Sequence, residues 1–188
     1  MINIVHNKKS LSTLKQEDFL YQPCYCEENI WHLCQHEQLK NSHVIFIASK
    51  DDSFPMLCQR ITDEPHTPIF WDYHVILLVQ GETNQILDFD TSLPFNNDVA
   101  SYFADSFIDN NLLTADLIPL FRVVAASDYV RMFSSDRSHM KTESGWLAPP
   151  PDWTPIVKSE NNLSEFIDMN NEKIGEVLTY DEILKGFA

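Results

Sequence analysis

The stretch IFWDYHVILLVQGETNQILDFD, from Ile69 to Asp90, decides how this chain is read. Its first part, IFWDYHVILLVQ, is the most apolar run in the sequence, and QILDFD follows after Gly81-Glu82-Thr83-Asn84, a break of turn composition. Two such runs around such a break predict a hairpin whose strands are both central in their sheet. One residue does not fit a plain core strand. A histidine between Trp71 and Val79 must either bond a partner in the core or face a site. If the loop around Gly81 to Thr83 closes with an odd count, positions 74 and 88 point to the same side, opposite or diagonal, and Asp88 can orient the His74 ring. Parity puts Asp90 on that side too, so spacing alone leaves the two acids tied.

Working outward, HVIFIAS (His43 to Ser49) and FPMLCQR (Phe54 to Arg60), separated by Lys50-Asp51-Asp52-Ser53, read as a strand pair. Before them, CEENIWHLCQHEQLK carries Ile30, Leu33 and Cys34 at helical spacing. Glu27 and Glu28 occupy its first turn, where the helix dipole favours acids, so the run predicts a helix with Cys26 at its N-terminal edge. Residues 1 to about 22 are weakly patterned and read as a loose arm with a short helical turn near Leu14 to Leu20.

Downstream, Asn97 to about Phe107 has helical spacing with Asn97 as its cap, FRVVAAS (Phe121 to Ser127) returns to strand character, and SDYVRMF predicts a short helix. Ser134 to Pro155, with Gly145-Trp146 and the triplet Pro149-Pro150-Pro151, predicts a long ordered loop of the kind that often carries function. Capping-box pairs, Asn162 with Glu165 and Thr179 with Glu182, open two closing helices.

With 188 residues and 44% hydrophobic content, the chain has apolar material for one substantial core and reads as a single domain. A net charge of -15 with no basic cluster argues against binding phosphate backbones. No stretch approaches the ~18 apolar residues of a membrane span, and MINIVHNKKS lacks the apolar core of a signal peptide. The expectation is a cytoplasmic monomer, or a nuclear one in a eukaryote, that binds neither nucleic acid nor membrane. Cys24, Cys26, Cys34 and Cys58 are expected to be reduced thiols.

A thiol at a helix N-terminus meets partial positive charge and free N–H groups, which favour the thiolate and can hold an oxyanion. Cys26 is therefore the candidate nucleophile, against the plainer reading of an inert buried thiol. Cys24, Cys26, His32, Cys34 and His36 could also be weighed as metal ligands, but one pair is C-x-C and the rest spread around different helix faces, so no metal is expected.

Four blocks now stand in one order: CYCEENIW (Cys24 to Trp31), WDYHVILL (Trp71 to Leu78), LDFDTSLPF (Leu87 to Phe95) and SDRSHM, followed by a Gly-Trp and proline-triplet segment. Together they resemble the protein N-terminal glutamine amidohydrolase family, over nearly everything from about Tyr21 to the closing helices. The resemblance implies an α+β fold, an α-β-α sandwich of papain and transglutaminase type with a mostly antiparallel central sheet. It also implies that the second cysteine of C-Y-C, here Cys26, is the nucleophile. The histidine of W-D-Y-H, His74, would be the base, and the first aspartate of D-x-D, Asp88, would orient it. Pro23, before C-Y-C, departs from the small polar residue expected there, and the Gly145-Trp146 junction is one residue short of the usual pattern.

The activity so implied is deamidation of an N-terminal glutamine to glutamate through a thioester, without metal or organic cofactor, the substrate being a peptide or protein with N-terminal Gln. In eukaryotic relatives the product residue feeds an N-terminal degradation pathway. Tyr25, Glu28, Asp72 and Asp136 are the substrate-binding candidates, the three acids as receivers of the α-ammonium, with Arg137 able to brace the long loop by pairing with one of them. The rivals are a cysteine peptidase or transglutaminase-like acyl transferase, and a module that binds N-termini without turnover.

Overall fold

The computed structural model describes residues 14–51 and 53–188 and is organised around a six-stranded antiparallel sheet. Helix α1 (Cys26–Leu33) leads to β1 (His43–Ala48), the short strands β2 (Phe54–Met56) and β3 (Ile69–Trp71), and the hairpin β4 (His74–Val79) with β5 (Gln85–Leu87). β6 (Asn96–Asp98), α2 (Val99–Ser106), β7 (Leu120–Ala125) and α3 (Ala126–Met132) follow. The chain then forms a small ribbon, β8 (Lys141–Thr142) with β9 (Gly145–Trp146), and closes with α4 (Leu163–Ile167), β10 (Glu176–Leu178) and α5 (Tyr180–Phe187). Strand order in the main sheet is β10-β7-β1-β4-β5-β6.

Strand alternation sorts the core into two layers. Val44, Phe46, Val75 and Leu77 face α1, α3 and α4, where they meet Ile30, Leu33, Tyr129 and Phe166. Ile45, Ile47, Ile76 and Leu78 face the other way, onto Tyr102 and Phe103 of α2 and Ile183 of α5. Both faces of β1 and β4 are thus covered, which is why their sequences read as continuous apolar runs rather than as alternation. Among the described residues no helix is long and apolar enough to cross a membrane.

Several expectations need correction. The segment Phe54 to Arg60 does not pair with β1; β1 lies between β4 and β7, and β2 pairs with β3 in a separate two-stranded sheet. The run Ile69 to Gln80 is two strands, broken where the Asp72 carboxylate accepts the Tyr73 N–H at 2.9 Å. Helix α2 is capped by Asp98, whose carboxylate accepts the Ser101 N–H, while Asn97 lies in β6. The Thr179–Glu182 capping box is formed. The Asn162 side-chain oxygen Oδ1 instead accepts the Ser134 N–H at 2.9 Å, joining the long loop to α4.

Arg122 explains how β10, unread in the sequence, is held. It sits fully buried on β7 and donates to the carbonyls of Phe166, Asp168 and Asn171 at 2.8, 2.6 and 2.6 Å, and also to that of Ile174. These bonds strap the 166–174 segment against the sheet. Gly175 then turns the chain into β10 at φ +60°, where an added Cβ would stand 2.2 Å from the Val123 carbonyl, so only glycine fits. The N-terminal arm is packed where it is described: residues 16–18 form a helical turn, the Gln16 amide donates to the Phe89 carbonyl, and the Phe19 ring meets His36. Residues 1–13 of that arm lie outside the described residues.

Candidate active site

The approach to α1 is a tight turn. Pro23 and Cys24 are its central residues, Cys24 has φ 65°, and the Tyr25 N–H returns to the Gln22 carbonyl at 3.3 Å. Pro at the first central position with positive φ at the second is the pattern of a type II turn, which gives Pro23 a structural reason. The Asn29 side chain holds the same loop, accepting from the Gln22 N–H and donating to the Gln22 carbonyl, both at 2.9 Å. Tyr129 of α3 donates to the Glu27 carbonyl at 2.8 Å. Cys26 is thus delivered as the first residue of an anchored helix.

Opposite it, His74 opens β4 and its Nε2 is 3.0 Å from Asp88 Oδ1, with both side chains buried. The hairpin register Leu78↔Ile86 and Leu77↔Leu87 places Asp88 diagonal to His74, one of the two arrangements that parity allows. Asp88 is itself fixed: Tyr102 of α2 donates to its Oδ2 at 2.8 Å and the Asp90 N–H to its Oδ1 at 2.9 Å. Trp71 stacks on the imidazole with centroids 5.8 Å apart, and its own Nε1 donates to Gln59. A ring held on one face by Trp71 and at one nitrogen by Asp88 has little freedom.

The electrostatics follow from burial and from these bonds. Burial works against a charged His74, but the Asp88 carboxylate, aided by Asp90, outweighs it and holds the imidazole above its ordinary pKa. Burial likewise opposes Asp88, yet His74 and the donors Asp90 N–H and Tyr102 bring it below the usual carboxylate range. Asp90 goes the other way, raised by burial and by Asp88 although His74, Tyr21 and Arg60 favour its ionised form. The expectation that the helix end lowers the Cys26 pKa is corrected here. Burial, then Glu27, Asp90 and Asp72 push the thiol well above its ordinary value, and a hydrogen bond from the Val75 backbone only partly counters them.

Cys26, His74, Asp72, Asp90, Tyr73 and His139 share the wall of one cavity of about 230 Å³, with Cys24, Trp71, Met140, Leu147, Leu163 and Ile167 completing it. Asp88 stands behind His74. Of the substrate-binding candidates, only Asp72 reaches this wall. Tyr25 is fully buried and its hydroxyl donates to the Ala148 carbonyl at 3.1 Å. Glu28 is also fully buried and is spent on Arg137, which approaches both its oxygens at 2.7 Å, and on Trp153 Nε1 at 2.7 Å. Asp136 is exposed and accepts from the Ser138 N–H and the Asn161 amide, both at 2.9 Å. A further cavity of about 240 Å³ near Phe19, His32 and His36 contains no cysteine and no carboxylate.

Sequence reasoning passed over a second cluster, Glu27, Tyr73 and His139. Glu27 is fully buried; its Oε2 accepts from Tyr73 at 3.0 Å and lies 3.8 Å from Cys26 Sγ, while its Oε1 is 3.5 Å from His139 Nε2. Each of the three falls inside one of the quoted motif blocks, the only sign available from sequence. His74, Asp88 and Asp90 each bring one ligand atom within 4.8 Å of the others. The Tyr21 hydroxyl donates to Asp90 at 2.7 Å, the Tyr102 hydroxyl donates to Asp88, and His74 is bonded to Asp88, so the geometry is that of a hydrogen-bond network rather than a metal centre.

Residues 21–187 match the family model described as N-terminal glutamine amidase. A human protein named protein N-terminal glutamine amidohydrolase is 39% identical over 182 residues, covering 90% of this chain and 88% of the relative. The proteins of the same name from Bos taurus and Drosophila melanogaster are 38% and 34% identical, over 90% and 92% of this chain and 87% and 90% of their own lengths.

Proposed function

The chain belongs to the N-terminal glutamine amidase family and is a hydrolase acting on linear amides, and we propose that it converts an N-terminal glutamine of peptides or proteins to glutamate through a thioester on Cys26. The observation that carries the catalytic assignment is the His74–Asp88 bond of 3.0 Å in a ring that shares a cavity with the Cys26 thiol. A likeness to papain and transglutaminase belongs to the same reading: a nucleophile opening a helix, with its histidine and aspartate on neighbouring segments of an antiparallel sheet.

With Asp88 ionised, Nε2 of His74 carries the proton donated to it, and Nδ1 is left to exchange protons with thiol and substrate. His74 takes the Cys26 proton as sulfur attacks the carbonyl carbon of the glutamine side chain. N–H groups of the first turn of α1 receive the oxyanion. Collapse breaks the C–N bond, and the imidazolium gives its proton to the departing amine, which leaves as ammonia. Water, deprotonated by His74, then attacks the thioester; the C–S bond breaks, sulfur recovers a proton, and a glutamate side chain remains. Asp88 keeps the ring in one tautomer and supports its charged form throughout.

The size of the cavity supports a substrate that enters by its end. At about 230 Å³ it lies below the roughly 300–1,000 Å³ of pockets that enclose drug-sized ligands, and its acids suit a free α-ammonium. Ammonia release from Gln-X, Asn-X and N-acetyl-Gln-X peptides tests the reading. Release from Gln-X alone is expected. Equal release from the acetylated peptide would remove terminal selectivity, and transfer of the acyl group to added amines in preference to water would favour a transglutaminase-like role.

A further inference from the structure

Among the described residues, the carboxylates around Cys26 are answered only from outside the cavity wall, by Arg60 behind Asp90, and by the half-buried His139 beside Glu27. Glu27 adjoins the thiol on α1, Asp72 and Asp90 line the cavity, and neither lysine nor arginine stands on its wall among the described residues. The other titratable groups around the sulfur are His74, already paired with Asp88, His139, Tyr73, Cys24 from the turn before α1, and Tyr129 of α3. Glu27 is the telling member. Its side chain is fully buried, yet its Oε1 has no hydrogen-bond partner, and it points toward His139 on the cavity wall at 3.5 Å. A buried carboxylate oxygen left without a donor is costly unless something else supplies one. Its Oε2, 3.8 Å from Cys26 Sγ, accepts the thiol proton in the substrate-free state and so favours S–H over S⁻.

We propose that the substrate's own α-ammonium activates the nucleophile: drawn to the Glu27, Asp72 and Asp90 side of the cavity, it offsets the negative charge around Cys26 and releases the thiol to form a thiolate. This rests on the deamidase reading and adds a gate to it. A free N-terminus is then required for chemistry as well as for affinity, and a stray amide without an ammonium meets a thiol that stays protonated. The balance is simple, because the thiol proton passes to His74 and the ammonium supplies the compensating charge without itself giving up a proton. The new γ-carboxylate of the product faces the same acids, so repulsion favours its departure. An opposite charge placed within about 4–6 Å moves a pKa by roughly one to three units, enough to change the thiolate fraction at neutral pH many-fold.

Alkylation of Cys26 tests the gate. The pH dependence of inactivation by iodoacetamide reports the thiol in the free enzyme, and the maximal inactivation rate of a glutamine analogue with a free amino group, its side-chain carboxamide replaced by a chloromethyl ketone, reports it in the complex. The expected result is a titration about one unit or more lower in the complex, with no such lowering for the N-acetylated ketone. Glu27→Gln should lower the free-enzyme titration and narrow the gap. Asp72→Asn, on an exposed side chain whose amide oxygen can still accept the Tyr73 N–H, should act in the same direction. Coincident titrations in wild type, or free-enzyme profiles unmoved by both substitutions, overturn the gate. Ammonia release from Gln-X is measured in parallel: release with coincident titrations sinks only the gate, whereas no release sinks the deamidase reading.

Discussion

His74 and Asp88 are diagonal neighbours across the β4–β5 hairpin, and Nε2 of the imidazole is bonded to Asp88 at 3.0 Å although the same register carried forward sets Asp90 directly across from His74. The hairpin alone does not make that choice. β5 ends at Leu87, and the chain beyond it is drawn by the Asp88 N–H bond to the Phe95 carbonyl and by Tyr102 reaching up from α2. Asp90 is turned instead toward Tyr21.

Asp88→Asn should therefore harm catalysis more than Asp90→Asn. Loss of the orienting carboxylate is expected to reduce kcat by on the order of 10²–10⁴ with little change in KM. Steady-state kinetics on Gln-X decide it, and a larger loss at position 90 would assign the orienting role to the other acid.

The same pair predicts a pH signature in stability. The Asp88 contribution exists above its unfolded pKa of about 4 and is lost as pH falls through its depressed folded value; that of His74 exists below about 6.5 and is lost as pH rises through its raised folded value. The wild-type advantage over Asp88→Asn in urea unfolding should be largest between about pH 4 and 6.5 and shrink on either side. An advantage that grows steadily toward pH 9 would show that Asp88 does not hold the His74 imidazole above its ordinary pKa.

Glu28→Ala should be strongly destabilising. It would strand the Arg137 guanidinium, 5% exposed, with only the Pro151 and Trp153 carbonyls at 3.3 and 2.8 Å. Breaking a buried pair in this way costs about 3–5 kcal/mol. Denaturant unfolding measures it; a loss below 1 kcal/mol would mean that the pair does not tie the long loop to α1.

Cys26→Ala should abolish turnover, whereas Cys24→Ala should keep it within a few-fold. Both side chains line the cavity, but Cys24 belongs to the turn before the helix. Ammonia assays on the two variants separate them, and the reverse result would move the nucleophile to Cys24.

Much of this was legible in the sequence because it rests on short-range rules. The β4–β5 hairpin, the helix opened by Cys26 and the Thr179–Glu182 capping box come from periodicity and from the demands of unsatisfied backbone groups. What was not legible depends on distant partners. Glu28 reads as a first-turn acid, yet it is buried against Arg137, 109 residues away. FRVVAAS reads only as a strand, with nothing local to show that its Arg122 is fully buried beneath carbonyls of the 166–174 segment. The Cys26 environment depends first on its burial, which is set by tertiary packing, then on its neighbour Glu27, and after that on Asp90 and Asp72 from segments flanking the hairpin, whereas a helix end is a local feature. The tie between Asp88 and Asp90 could not be broken by spacing because Tyr102 and Tyr21 enter from other elements.

The central claim is that Cys26 removes ammonia from an N-terminal glutamine. Ammonia measured from a Gln-X peptide, with wild type and Cys26→Ala side by side, tests it most directly. One ammonia for each glutamate formed is expected from the wild type and none above background from the variant; no release by the wild type, or equal release by both, would contradict it.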